Sequence, residues 1–131
     1  MKKCITLTVL LLLMVSMICS FAACTKIEVA DGEIVAIFRY GDVDITQSMS
    51  HEDSDTVRRI FSKKNLFSDS PSCGFSKNVA LTIGDDTYCI ACDNCGIVYN
   101  VNEDKYFHLS DQENETLRKL LGEYGFTFPC V

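Results

Sequence analysis

The sequence predicts an α+β fold two layers deep, one antiparallel sheet with two helices on one face. Three observations predict it. Short runs of alternating or β-branched residues recur, each closed by a turn signal. Two segments, after Ser50 and after Ser110, carry a capping residue and then an apolar stripe at helical spacing. The resulting order is strands, helix, four strands, helix, and an antiparallel sheet needs cover on one face only.

The elements follow in chain order. Ile27-Glu28-Val29 reads as a short edge strand before the Asp31-Gly32 turn. Glu33 to Tyr40 is rich in β-branched and aromatic residues, Gly41-Asp42 turns the chain, and Val43 to Met49 returns antiparallel. Ser50 stands three residues before Asp53, a carboxylate where the helix dipole favours one. Val57, Ile60 and Phe61 form that helix's apolar stripe, and Arg58, Arg59, Lys63 and Lys64 bring positive charge to its end. Asn65 to Lys77 is a polar loop holding Pro71 and Cys73. A meander then runs through Val79–Ile83, Thr87–Cys92, Ile97–Val101 and Lys105–Leu109, with turns at Gly84-Asp85-Asp86, Asp93-Asn94-Cys95-Gly96 and Asn102-Glu103-Asp104. Ser110 and Glu113 make a capping box, Leu117, Leu120, Leu121 and Tyr124 form the second stripe, and Gly125 suits the C′ position. In the last strand Phe107 and Leu109 belong to the core, with Tyr106 and His108 on the opposite face.

The two helices align at an offset of sixty. Ser50/Ser110, Thr56/Thr116 and Arg58/Arg118 are identical, and the strand pairs before them align as Ile37–Ile45 against Ile97–Lys105. A duplicated hairpin-then-helix unit places both helices on one face of a single sheet. The element order resembles TATA-binding-protein-like folds in topology alone, and fold does not imply function.

The amino terminus has the layout of an export signal. Lys2 and Lys3 precede an almost wholly apolar run from Ile5 to Ile18, and small residues follow. The sequence therefore divides into a signal peptide, 1–23, and one small domain, 24–131. Phe21-Ala22-Ala23-Cys24 resembles the lipobox of bacterial lipoproteins, with Phe21 in place of the usual leucine. The resemblance implies diacylation of Cys24 and attachment to the extracytoplasmic face of the cell membrane, since two acyl chains suffice for stable anchoring. The alternative is ordinary cleavage, leaving Cys24 a plain thiol and the protein secreted.

Charge excludes some partners. The sequence has 12 basic and 18 acidic residues, and loss of Lys2 and Lys3 leaves 10 against 18, a net charge of −8. Nucleic-acid binding is not expected, because phosphate neutralisation supplies most of that affinity. Acidic lipid headgroups also repel such a domain, so the membrane contact is assigned to lipid on Cys24. A protein or cell-wall partner is the default for a tethered module, and the sheet face away from the helices is its candidate surface. No phosphate-cradling loop, paired-carboxylate constellation or nucleophile–histidine spacing is legible, so neither enzymatic activity nor a cofactor is expected. His51 and His108 read as solvated.

The chemistry that remains lies in the cysteines. Beyond the signal, the sequence keeps Cys24, Cys73, Cys89, Cys92, Cys95 and Cys130. An exported chain is permitted disulfides, but lipid on Cys24 leaves an odd number. Cys89 and Cys92, in one strand, stand too far apart to bridge, whereas Cys92 and Cys95 flank a turn tight enough to bridge or to share a metal. Strand directions bring Cys73 to the same end of the sheet as Cys92 and Cys95. The expectation is stapling, Cys73 to Cys92 or Cys95 and Cys130 to a remaining cysteine. The alternative is a metal or thiol-redox centre on Cys89, Cys92 and Cys95. Cys92-x-x-Cys95-Gly96 resembles the knuckle of rubredoxins and zinc ribbons, and Cys89 to Cys95 resembles part of a ferredoxin cluster loop; both imply Zn or Fe, but neither resemblance extends to a full ligand set. Asp93 beside the pair disfavours a thiolate and hence exchange chemistry.

Overall fold

A computed structural model describes residues 26–130; the signal segment and Cys24 lie outside the described residues. The observed order is β1 (Ile34–Tyr40), β2 (Val43–Ser48), α1 (His51–Phe61), β3 (Val79–Ile83), β4 (Asp86–Ile90), β5 (Ile97–Asn100), β6 (Lys105–His108) and α2 (Asp111–Glu123). All six strands form one sheet, ordered β2-β1-β3-β4-β5-β6, with every pairing antiparallel. This is the predicted α+β architecture.

Alternation decides the faces. Ile34, Ala36 and Phe38 of β1 lie level with Ile83, Leu81 and Val79 of β3, and all six are buried. Tyr88 and Ile90 of β4, Val98 of β5 and Phe107 of β6 continue that surface. Val57, Ile60 and Phe61 of α1 and Leu117, Leu120 and Leu121 of α2 join it in one core. The Phe61 ring lies 5.3 Å from Tyr88 and 5.2 Å from Phe107, and Phe126 lies 4.9 Å from Phe38. Leu109 is buried as well, and His108 is exposed.

Polar links fix the antiparallel helix pair at both ends. The Tyr124 hydroxyl, at the end of α2, donates to Asp53 Oδ2 at 2.6 Å and accepts from the Ser50 N–H at 2.9 Å. Ser50 caps α1 through the Asp53 N–H, and together Ser50 and Tyr124 hold the Asp53 carboxyl below its usual range. At the opposite end Lys64 donates to both Glu113 oxygens, at 2.6 and 2.5 Å, while Ser110 and Glu113 complete the capping box. Burial opposes ionisation of Glu113, but Lys64 and Ser110 outweigh it and hold the carboxyl low. Gly125 ends α2 at φ +87°, and a Cβ there would meet Ile45 Cδ1 at 2.5 Å.

Two expectations are corrected. Ile27–Val29 is not a strand; the chain there makes only an isolated bridge, Lys26 to Asn65, with the Ile27 N–H donating to Lys64 O at 3.1 Å. The sheet's second face is also not left open. After α1 the chain pairs Phe67 with Tyr106 through two 2.9 Å hydrogen bonds, capping the β6 edge, and then crosses that face. Phe75 lies 5.7 Å from Tyr99 and 5.6 Å from Tyr106, which stack on each other at 4.7 Å. Ala80 and Cys89, on the same row of that face, are buried. The open part is the β2 side: Asp44, Thr46 and Ser48, on that face, are exposed, while half-buried Ile45 lies level with Phe38 on the helix face. The aromatic residues of 65–77 explain the difference: a loop bearing Leu66, Phe67 and Phe75 has apolar surface to bury, and the Tyr99–Tyr106 pair offers the matching patch.

Candidate functional site

The site lies at the β4–β5 turn, residues 91–96, where both disulfides meet. Asp93 shapes the turn: its Oδ1 accepts the Cys95 N–H at 3.1 Å, and Gly96 then takes φ +65°. Cys73 is bonded to Cys95 with a Cα–Cα span of 6.7 Å, and Cys92 to Cys130 with a span of 5.0 Å. The first ties the 62–78 crossing to the sheet, and the second ties down the segment after α2. Cys92 and Cys95 therefore do not bridge each other, although their spacing permits it. Each side of the turn reaches instead for a cysteine brought in by a different connection.

Cys89 takes part in neither disulfide and belongs with neither pair. It is buried under the crossing segment, and burial pushes its thiol up to about 11, with Lys77 working against the shift. The cluster Cys89, Cys92 and Cys95 is thus divided among a buried thiol and two separate bridges. A different set converges: one ligand atom each from Cys73, Asp93 and Cys95 lies within 4.8 Å of the others.

Helix α2 supplies the other wall. Asn114, buried in its first half, donates through Nδ2 to Asn94 Oδ1 at 3.2 Å. Arg118 Nε donates to Asn114 Oδ1, and Nη2 to the Ala91 carbonyl, each at 3.3 Å. Its guanidinium stands 4.4 Å over the Phe128 ring. Burial pulls the Arg118 pKa down, and Asp93 opposes that shift. Beside these residues opens a groove of about 570 Å3 lined by Asn94, Asp111, Glu115, Lys119, Phe126 and Phe128 as well as Asn114 and Arg118.

The sequence placed Cys73, Cys92 and Cys95 at this end and left the end taken by Cys130 open until its bond to Cys92 settled it, with neither Asn114 nor Arg118 singled out as a site residue. Asn114 was legible: it sits three residues before Leu117, on the buried stripe, where an amide needs partners. Both histidines lie elsewhere. His51 Nδ1 is 3.2 Å from Asp55, and His108 stacks on Phe67 at 4.8 Å. No known family profile matches the chain, and no curated protein or solved structure is significantly similar to it. No helix among the described residues is long and apolar enough to cross a membrane.

Proposed function

We propose that this is an exported, lipid-anchored binding module, held to the outer face of a membrane through Cys24 and presenting the α2 groove to a peptide-bearing partner, a protein or the cell wall. The observation that carries the reading is the cysteine inventory. Four cysteines form two staples at one end of the sheet and Cys89 is buried as a free thiol, so an odd number of cysteines beyond Cys24 no longer argues against its modification. Two staples in so small a domain fit an oxidising compartment. The groove offers cations from Arg118 and Lys119, carboxylates from Asp111 and Glu115, and the Phe126 and Phe128 rings, a set suited to a peptide carrying both signs of charge.

Metabolic labelling with a palmitate analogue tests the anchor: the wild type takes label and Cys24→Ser does not. Equal labelling of both defeats it. A photo-crosslinking residue tests the groove. On intact cells, adducts form from position 119 and not from position 44 on the exposed β2 strand. Adducts from 44 alone move the binding surface to the β2 side.

A further inference from the structure

We propose that Cys73, Asp93 and Cys95 form a redox-gated site for a thiophilic divalent cation, Zn2+ in the first instance, closed while the disulfide stands and opened when a dithiol reduces it. The three side chains already converge, with one ligand atom from each inside 4.8 Å. They come from two segments, the 62–78 crossing and the β4–β5 turn, so the site exists only in the folded chain. Asp93 is held in place by its hydrogen bond from the Cys95 N–H, which leaves Oδ2 for an ion.

The chemistry balances as follows. A dithiol reductant attacks the Cys73–Cys95 bond and gives up two electrons and two protons, leaving two cysteine thiols and its own cyclic disulfide. Zn2+ then displaces both thiol protons to solvent and binds two thiolates and one carboxylate oxygen. Tetrahedral Zn–S bonds of about 2.3 Å set the sulfurs roughly 3.8 Å apart. Side-chain rotation supplies that separation across a Cα–Cα span of 6.7 Å, without moving the turn. Two thiolates and Asp93 against Zn2+ leave one negative charge, and the Arg118 guanidinium lies close enough to Asp93 to offset it. Two soft ligands select Zn2+ over Mg2+ or Ca2+, and three protein ligands leave a fourth position to water. Cys92 and Cys130 stand outside the set by position: the ligand atoms that converge are those of Cys73, Asp93 and Cys95.

Differential alkylation of the purified full-length chain tests this. The protein is reduced with an excess of dithiol, exchanged into Zn2+ or into chelator, alkylated with iodoacetamide and mapped by mass spectrometry. Zn2+ is expected to protect Cys73 and Cys95 at least tenfold in alkylation rate and to leave Cys92 and Cys130 reactive. Asp93→Asn is expected to lose that protection while forming the native disulfides on reoxidation. Equal protection of Cys73, Cys92, Cys95 and Cys130 overturns the proposal in favour of a four-thiolate site. No protection, or protection unchanged in Asp93→Asn, overturns it outright. A Co2+ titration of the reduced wild type gives an independent reading, since thiolate-to-metal charge-transfer intensity for two sulfurs supports the site and for four refutes it.

Discussion

Removal of the Cys73–Cys95 bridge tests whether the crossing segment is held by the disulfide or by its own packing. Cys73 and Cys95 are 22 residues apart and Cys92 and Cys130 are 38 apart. Loop-closure entropy then assigns about 3.4 kcal/mol to the first bridge and about 3.9 kcal/mol to the second. The two loops share only residues 92–95, so the effects are close to additive, about 7 kcal/mol against a total of roughly 5–15 for a domain of this size. In urea, with a slope of about 1.5 kcal/mol/M, Cys73→Ala/Cys95→Ala lowers the midpoint by about 2 M. The pair Cys92→Ala/Cys130→Ala lowers it slightly more, and loss of all four leaves a chain at the margin of folding. Far-UV circular dichroism follows the transition. A midpoint that falls by less than about 0.5 M in the first double variant refutes the reasoning: the Phe67, Phe75 and Tyr106 contacts then hold the crossing without help. Peptide mapping of unreduced protein must also recover Cys73 linked to Cys95.

Acid weakens the helix clamps. Asp53 and Glu113 both have folded-state pKa values below their ordinary 3.8 and 4.5, so their contribution is complete above those values and is lost as pH falls through the depressed folded ones. The thermal midpoint is accordingly flat from neutral pH to about 5 and falls below it; Glu113→Gln shows a shallower fall, and an equal slope in the variant rejects Glu113 as a contributor. Tyr124→Phe removes the hydroxyl joining the two helix ends and costs about 1–2 kcal/mol in urea unfolding. Cys89, with its thiol near pKa 11 and its side chain buried, resists iodoacetamide in the native protein at pH 8 and reacts at the rate of an ordinary thiol once unfolded. Rapid native alkylation would place it outside the core of the crossing.

What was legible in the sequence was whatever depends on spacing within one element. The N-caps at Ser50 and Ser110, the alternation of Val79–Ile83 and the burial of Phe107 beneath an exposed His108 all follow from local periodicity. Strand direction added a long-range statement, that Cys73 meets the 92–95 turn. The pairing partners were not fixed by such arguments: Cys92 to Cys95 was sterically permitted, and the choice of Cys73 and Cys130 depends on two connections whose paths are tertiary. The crossing of 62–78 over the second face was equally hidden, because polar composition and Pro71 describe a loop without saying where its Phe67 and Phe75 come to rest.

The sixty-residue offset holds for the two helices and for the second strands of the hairpins, but not for the first strands. Ser50 and Ser110 cap their helices at φ −60° and −65° with ψ 162° in both. Thr56 and Thr116 each return a hydrogen bond to the carbonyl four residues earlier, and Ser54 and Asn114, also sixty apart, are both buried polar residues. Arg58 reaches the carbonyl of Gly32 and Arg118 that of Ala91, each in the chain leading to its own hairpin. The hairpins differ by two residues: Val35 faces Ser48, whereas Ile97 faces His108, so the first strands correspond at an offset of sixty-two. The aligned pair is Val35 and Ile97, not Ile37 and Ile97. An even shift keeps every side chain on its own face, so a second hairpin two residues shorter overall, with a shorter ladder and a longer turn, leaves the core undisturbed, whereas a shift of one would have turned Val98 outward. The two helices are therefore alike in their caps and in the bonds of their Thr and Arg side chains, and differ at the site. Asn94, Asn114 and Arg118 are joined by hydrogen bonds at a disulfide-bearing turn, while Arg58, sixty residues before Arg118, reaches the Gly32 carbonyl in a plain loop. The groove thus lies along the second helix, at the end of the sheet that the two disulfides tie down, while the first hairpin supplies the β2 edge.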